Sequence, residues 1–139
     1  MASLARNPRT DAVAAQDVRA LALASGLGRL AIGAGLAVAP RAALAALGFR
    51  DHGPSTVAVA RIAGGRDIAL GAATLLALGD GERLRAASIA NAAVDAGDTL
   101  TFAAALAARD DEVRDAALRG VAAAVPAALA GAWVALRLR

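Results

Sequence analysis

Asp95 and Asp98 lie three residues apart near the centre of a long, mostly apolar segment. If this segment is a helix, the spacing places both carboxylates on one face, together with Asn91. Paired carboxylates of this kind are suited to general acid–base catalysis. Asp95, Asp98 and Asn91 are therefore candidate catalytic residues.

Two earlier apolar segments carry charges at similar depth. Arg66 and Asp67 lie near the middle of one segment, and Arg29 lies near the middle of the other. Arg66 is five residues from Arg61, or about 7 Å along a helix axis, so Arg66 is expected to be the deeper partner of the carboxylates. The sequence thus predicts Arg29, Arg61 and Arg66 as ligand-binding residues and Asp67 as a further catalytic candidate. With Asp95 and Asp98, this set is electrically neutral.

Such a set of charges has three interpretations. It could fix the register of neighbouring helices, or the arginines could bind a small polar or anionic-headed ligand. Alternatively, Asp67 or Asp95, with Arg66, Asp98 and Asn91, could activate water to open an epoxide, or isomerise or cyclise a lipophilic substrate. A cavity that reaches Asp95 would favour the enzyme. A solidly packed Ala/Gly interior would favour a non-enzymatic membrane protein, in which the charges serve helix registry, a small polar ligand or assembly with a larger partner.

The composition indicates how these residues are positioned. The chain has 139 residues, of which 58% are hydrophobic but only 2% aromatic, with a mean hydropathy of +0.55. Ala and Gly let membrane helices approach closely, whereas a soluble core usually depends on larger side chains. We expect an all-α fold that forms a four-helix transmembrane bundle. A soluble or peripheral four-helix bundle is the alternative.

The pattern of Pro, Gly and polar residues predicts the element boundaries. Residues 1–17 form a polar N-terminal tail and residues 18–139 the membrane domain. Long helices are predicted at 18–39, 56–78, 82–108 and 115–138, with a short interfacial helix at 41–47. Pro40 ends the first helix, Gly48 closes the short one, and Ser55 caps the second long helix. Pro126 predicts a kink in the fourth long helix that widens the interior.

The residue counts also restrict cofactors and partners. There is no Cys and a single His, so we expect no metal and no cofactor, and we interpret the acidic loop at 109–112 as a solvated turn. The fifteen arginines are scattered among twelve acidic residues with few aromatics, which argues against nucleic acid. The expected partners are membrane lipid, a small lipophilic or anionic ligand, and a homo-oligomer or larger membrane complex.

The distribution of arginine predicts a location. If four helices span, the side that holds both termini carries seven arginines and the opposite side five. The positive-inside bias then places both termini in the cytoplasm. The absence of Lys is typical of a high-GC bacterial coding bias, so we expect a multi-pass protein of the bacterial cytoplasmic membrane.

The order of these parts resembles a known group of proteins. A span that ends in Pro is followed by a short interfacial piece, a span with R-x-x-G-G-R-D-x-x-x-G from Arg61 to Gly71, and a span with Asp95 at its centre. This outline is similar to DoxX-like proteins and to other small four-helix bacterial membrane proteins of uncharacterised domain-of-unknown-function families. The resemblance implies a membrane location and four helices, but no settled activity.

Overall fold

The computed structural model describes residues 8–109 and 111–138, with side chains from residue 15 onward. This part of the chain is all-helical, as predicted, and contains no strand. The helices are α1 (Pro8–Val38), α2 (Pro40–Leu47), α3 (Pro54–Leu76), α4 (Gly81–Ala107) and α5 (Arg114–Arg137). Helices α1, α3, α4 and α5 correspond to the four predicted long helices.

Proline and glycine set the ends of the first two helices. Helix α1 ends at Val38, and α2 begins at Pro40, whose fixed φ suits a first turn. Gly48 ends α2 in the left-handed conformation, with φ 92°, and its N–H donates to the Ala45 carbonyl. The predicted short helix is therefore confirmed. Helix α1, however, begins at Pro8 rather than near residue 18, because proline is tolerated in a first turn and the Ala-rich stretch that follows has high helix propensity.

The start of α3 differs from the prediction. Gly53 is the N-cap and Pro54 the first helical residue, so Ser55 lies inside the helix and does not cap it. The carboxylate of Asp51 organises this turn by accepting hydrogen bonds from the Thr56 hydroxyl and, at 2.8 Å, from the Gly53 N–H. These two bonds favour the ionised form and hold the pKa of Asp51 below its ordinary value.

Helices α1 and α3 form one closely packed antiparallel pair. Gly33 lies against Gly64, and Gly26 lies against Gly71. A Cβ on Gly33 would come within 2.7 Å of the Gly64 carbonyl oxygen, and a Cβ on Gly71 within 2.7 Å of the Gly26 oxygen. These glycines therefore allow the two backbones to touch at two points.

Helices α4 and α5 form a second pair. The Phe102 ring lies directly over Gly120, and Gly131 approaches the Ser88 carbonyl, which would be 3.0 Å from an added Cβ. Contacts within the two pairs are far more extensive than contacts of α3 with α4 or of α1 with α5. The interior between the pairs is consequently less tightly filled than either pair itself.

Among the described residues, two helices are long and apolar enough to cross a membrane by length and composition, namely α1 from Ala15 to Val38 and α5 over its whole length. The expectation of four such spans is met only in part. Helix α3 carries Arg61, Arg66 and Asp67, and α4 carries Asp95 and Asp98 along with charged residues in its first turns. These charges lower the hydropathy of both helices.

Candidate functional site

Arg29 on α1 is the centre of a buried ionic network. Its two terminal nitrogens contact two different carboxylates, Asp67 on α3 at 2.8 Å and Asp95 on α4 at 2.5 Å. The second of these nitrogens also donates to the Asn91 carbonyl at 3.4 Å. All three residues are buried: the exposed fraction is 9% for Arg29, 8% for Asp67 and 7% for Asp95. Buried charges of this kind require such pairing.

The glycine contacts explain how Arg29 reaches Asp67. On α1, Arg29 lies between Gly26 and Gly33, and on α3, Asp67 lies between their partners Gly71 and Gly64. The backbones are close on either side of the ion pair, so the register of α1 against α3 places the two side chains opposite each other. The sequence contained this signal as matching seven-residue glycine spacings on two helices.

Arg66 makes the second connection between the helix pairs. Its terminal nitrogens donate to both oxygens of Asp98 at 3.0 and 2.8 Å, and one also reaches Asp67 at 3.4 Å. This bidentate geometry is the strong form of an Arg–carboxylate contact. The side chains of Arg66 and Asp98 are about a third exposed, at 38% and 34%. Arg66, expected as the partner of the carboxylates, thus pairs with Asp98, whereas Asp95 pairs with Arg29.

Arg61 is not part of the network. It is exposed, makes no hydrogen bond or ion pair within the described chain, and does not line the central cavity. Five residues correspond to about 140° around a helix, so Arg61 and Arg66 point in different directions. Without Arg61, the network contains two arginines and three aspartates, and its formal charge is −1 rather than zero.

Asn91 lies beside the carboxylates, but its side chain points away from them. Its amide nitrogen donates to the Thr74 hydroxyl at 2.8 Å, and Thr74 donates to the Leu70 carbonyl at 2.9 Å. The amide oxygen of Asn91 is buried and has no hydrogen-bond partner in the described part of the chain. Asn91 is among the residues that line a separate pocket of about 10 Å³, with Ser25, Thr74 and Ser88. The geometry thus separates Asn91 from Asp67, Asp95 and Asp98.

A cavity of about 580 Å³ adjoins the ionic network between the two helix pairs. The five charged residues of the network lie along one end of it. Short α5 residues near Pro126, such as Ala124, form part of its wall. The remaining wall is largely apolar and includes Ile32, Leu36, Leu44, Phe49, Val59 and Phe102.

The cavity extends from the network towards α2. Arg119 lines this end, and it donates at 2.7 Å to the Ala46 carbonyl in the last turn of α2. The other half of the bundle has a small apolar cluster of Ala22, Ala77 and Leu84.

Sequence reasoning missed Phe49, Phe102 and Arg119, because single residues outside a charged pattern give no sign of lining a cavity.

The donor set does not resemble a metal centre. Across residues 8–109 and 111–138, no three His, Cys, Asp or Glu side chains are grouped so as to hold a metal ion. The three aspartates of the network contact arginine. Asp110, in the acidic loop, lies outside the described residues.

Comparison with known protein families, curated proteins and solved structures found no match. The DoxX-like resemblance therefore stays a prediction from Asp95 and the segment between Arg61 and Gly71.

Proposed function

We propose that this is a multi-pass integral membrane protein that holds a small lipophilic molecule by its polar end. The observation that carries the proposal is the cavity, which has an ionic network at one end and largely apolar walls elsewhere, apart from Arg119 at the opposite end. Its volume of about 580 Å³ is in the range typical of small-molecule sites. The polar end of a ligand would meet the network, and its apolar part would extend towards α2.

The distribution of polar side chains supports insertion in a membrane. On α4 the buried face includes Ser88, Asn91 and Asp95, whereas Ile89 and Leu100 are exposed. On α3, Asp67 is buried and Ile62 is 74% exposed. This is the reverse of a soluble protein, in which exposed apolar surface is limited and charged side chains face water. Lipid is the medium in which such an exterior is stable.

The burial of polar side chains and exposure of apolar ones also supports membrane spans by α3 and α4. Ionisable groups within a membrane normally face the bundle interior and pair with each other. Asp67, Asp95, Arg66 and Asp98 do both. At the end of α5, Arg137 lies 5.2 Å from the centre of the Trp133 ring, an arrangement suited to the membrane interface. We place both termini in the cytoplasm of a bacterial cell, as the arginine distribution indicates.

Ligand binding accounts for the site better than helix registry alone. A network that only fixed the register would be compatible with a filled interior, since protein interiors are close-packed and empty space lowers stability. The interior instead contains open space beside Arg29, Asp67 and Asp95.

The test is to count bound molecules on the purified protein by native mass spectrometry. Decanol, decylamine and decanoate serve as probes, because they share a ten-carbon chain and differ in the polar group at its end. At least one should bind with one-to-one stoichiometry. Ala63 lines the cavity, so Ala63→Phe should fill part of it and abolish binding. Ala58→Phe, on the exposed face of α3, is the control and should leave binding unchanged. Binding of none of the three probes would contradict the proposed function.

A second candidate is an enzyme that acts on a lipophilic substrate in the same cavity. It is favoured by the Asp67–Arg29–Asp95 arrangement, in which two carboxylates that share one arginine line the cavity. In epoxide hydration, a carboxylate would take a proton from water while the water oxygen bonds to an epoxide carbon and the ring carbon–oxygen bond breaks. The released oxygen would then take that proton back from the carboxyl group, which gives a diol and restores the carboxylate.

The enzyme is tested with a terminal decene epoxide and detection of the diol. Asp98→Asn keeps an oxygen that can accept from Arg66 but cannot exchange a proton. If Asp98 takes part in proton transfer, this variant should lose diol formation while its melting temperature stays nearly unchanged. Absence of diol with the wild-type chain would exclude epoxide hydration. A parallel loss of activity and stability would assign Asp98 a structural role.

A further inference from the structure

The ionic network contains one more negative than positive charge. Arg29 and Arg66 are its cations, and Asp67, Asp95 and Asp98 are its anions, so its formal charge is −1. All five line the same end of the cavity. A net charge in an apolar interior is strongly unfavourable, so the site favours an occupant that neutralises it.

Both arginines are already engaged. Each of the two terminal nitrogens of Arg29 donates to a carboxylate, and so does each of the two terminal nitrogens of Arg66. The Nε of Arg66 has no partner among the described residues, but it is fully buried. An anionic ligand would have to compete with the carboxylates for the terminal nitrogens, and it would make the local charge −2. The network is therefore poorly suited to a carboxylate or phosphate end.

The carboxylates, in contrast, retain free acceptor atoms. The hydrogen bonds to Asp67 and Asp95 all end on Oδ1, which leaves Oδ2 of both residues without a partner in the described chain. Both side chains are about nine-tenths buried and line the cavity. Two unpartnered carboxylate oxygens near one surplus negative charge match a cation with several N–H donors.

We propose that the polar end of the ligand is a protonated amine, which donates to Asp67 and Asp95 at the end of the cavity. This inference rests on the proposed function, because it names the chemical class bound in that cavity. A lipophilic ammonium compound would bring the charge of the network to zero and place its apolar chain against the walls near Phe49 and Phe102.

The experiment compares dissociation constants of decylamine, decanol and decanoate, measured by calorimetry on the full chain in the same nonionic detergent. Decylamine should bind at least tenfold more tightly than decanol, and decanoate should bind more weakly than decanol. Asp95→Asn removes the surplus charge but keeps an acceptor for Arg29. It should therefore weaken decylamine at least tenfold and change decanol little.

Asp111→Asn is the matched control, because it also removes one negative charge but in the exposed loop before α5. It should leave the order of the three probes unchanged. If Asp95→Asn fails to fold, Asp98→Asn removes the same surplus charge from a less buried position and should again weaken decylamine selectively.

The outcomes separate the two proposals. If decanol or decanoate binds as tightly as decylamine, the amine inference is wrong and the proposed function stands. If decylamine is weakened equally by Asp95→Asn and Asp111→Asn, its binding does not depend on the network, and the inference is again wrong. If no probe binds, both fail.

Discussion

Arg29 connects three helices through one side chain. It contacts Asp67 on α3 and Asp95 on α4, and all three residues are buried. Removal of one partner from such a network leaves a buried charge without compensation, which costs more than the pair itself contributes. The contribution of each residue to stability thus depends on which partner remains.

Asp95→Ala should lower the free energy of unfolding by about 3–5 kcal/mol, the usual range when one partner of a buried ion pair is removed. The measurement is unfolding in detergent, followed by the loss of helical signal. The double variant Asp95→Ala with Arg29→Met should recover part of this loss, because it also removes the uncompensated cation. Recovery should be incomplete, since Asp67 then keeps only its 3.4 Å contact with Arg66.

Asp98→Ala provides the comparison within the same network. Its side chain is about a third exposed, at 34%, and lines the cavity together with Arg66. Water that enters the cavity can therefore solvate the remaining Arg66, and the loss should be smaller. An effect of Asp95→Ala no larger than that of Asp98→Ala would show that Arg29 and Asp95 do not form a buried pair.

The sequence predicted part of this network. Asp95 and Asp98, expected on one helix face, both line the cavity. Arg66, expected as the partner of the carboxylates without a choice among them, contacts Asp98 and Asp67. Depth alone was a poor guide for Arg61, because the direction of a side chain depends on its angle around the helix. The pairing of Asp95 with Arg29 depends on how α1 and α4 are rotated and packed, which residue types do not specify.

At the scale of elements, the glycine contacts between α1 and α3 give a sharp test. A Cβ at Gly64 would lie 2.7 Å from the Gly33 carbonyl oxygen, whereas a Cβ at Gly65 meets nothing within 4 Å. Gly64→Ala should therefore force the backbones apart and destabilise by about 1–3 kcal/mol. Gly65→Ala should be neutral or stabilise by up to about 1 kcal/mol through helix propensity. Equal melting temperatures for the two variants would contradict the close α1–α3 contact.

The contact between α2 and α5 predicts local rather than global effects. Arg119 donates to the Ala46 carbonyl at 2.7 Å and helps to hold α2 at the end of the cavity. Arg119→Met removes this donor but keeps a long side chain, so amide hydrogen exchange should increase in residues 41–48 with little change in melting temperature. Arg50→Met is the control, because its ion pair with Asp115 is exposed and 3.5 Å long. Similar exchange in both variants would rule out a special role for Arg119.

Element boundaries were predictable where Pro or Gly determines them. Pro40 and Gly48 delimit α2 as predicted, because the ring of one and the positive φ of the other act locally. The predicted N-cap of α3, Ser55, was wrong. Gly53 is the N-cap and Pro54 follows it, and the Asp51 carboxylate accepts the Gly53 N–H in the turn before the helix. The cavity could not be predicted, because it is the space left after all five helices have packed.

At the scale of the whole molecule, two topologies differ in the number of membrane crossings: two, by α1 and α5, or four, by α1, α3, α4 and α5. Length and composition alone support crossings by α1 and α5. The inward-facing, paired charges of α3 and α4 support crossings by these two helices as well. In either case we expect the chain to stay in the membrane pellet after carbonate or high-salt extraction. Recovery as a soluble monomer without detergent would exclude both topologies.

The absence of native Cys allows the two topologies to be separated by labelling. Single cysteines introduced as Gly79→Cys and Asp111→Cys occupy exposed positions before and after α4. If α4 crosses the bilayer, a membrane-impermeant thiol reagent added to intact cells, with the outer membrane permeabilised, should label Asp111→Cys but not Gly79→Cys. Both should react after the inner membrane is opened. Equal labelling of the two in intact cells would place both ends of α4 on one side and contradict the four-span bundle.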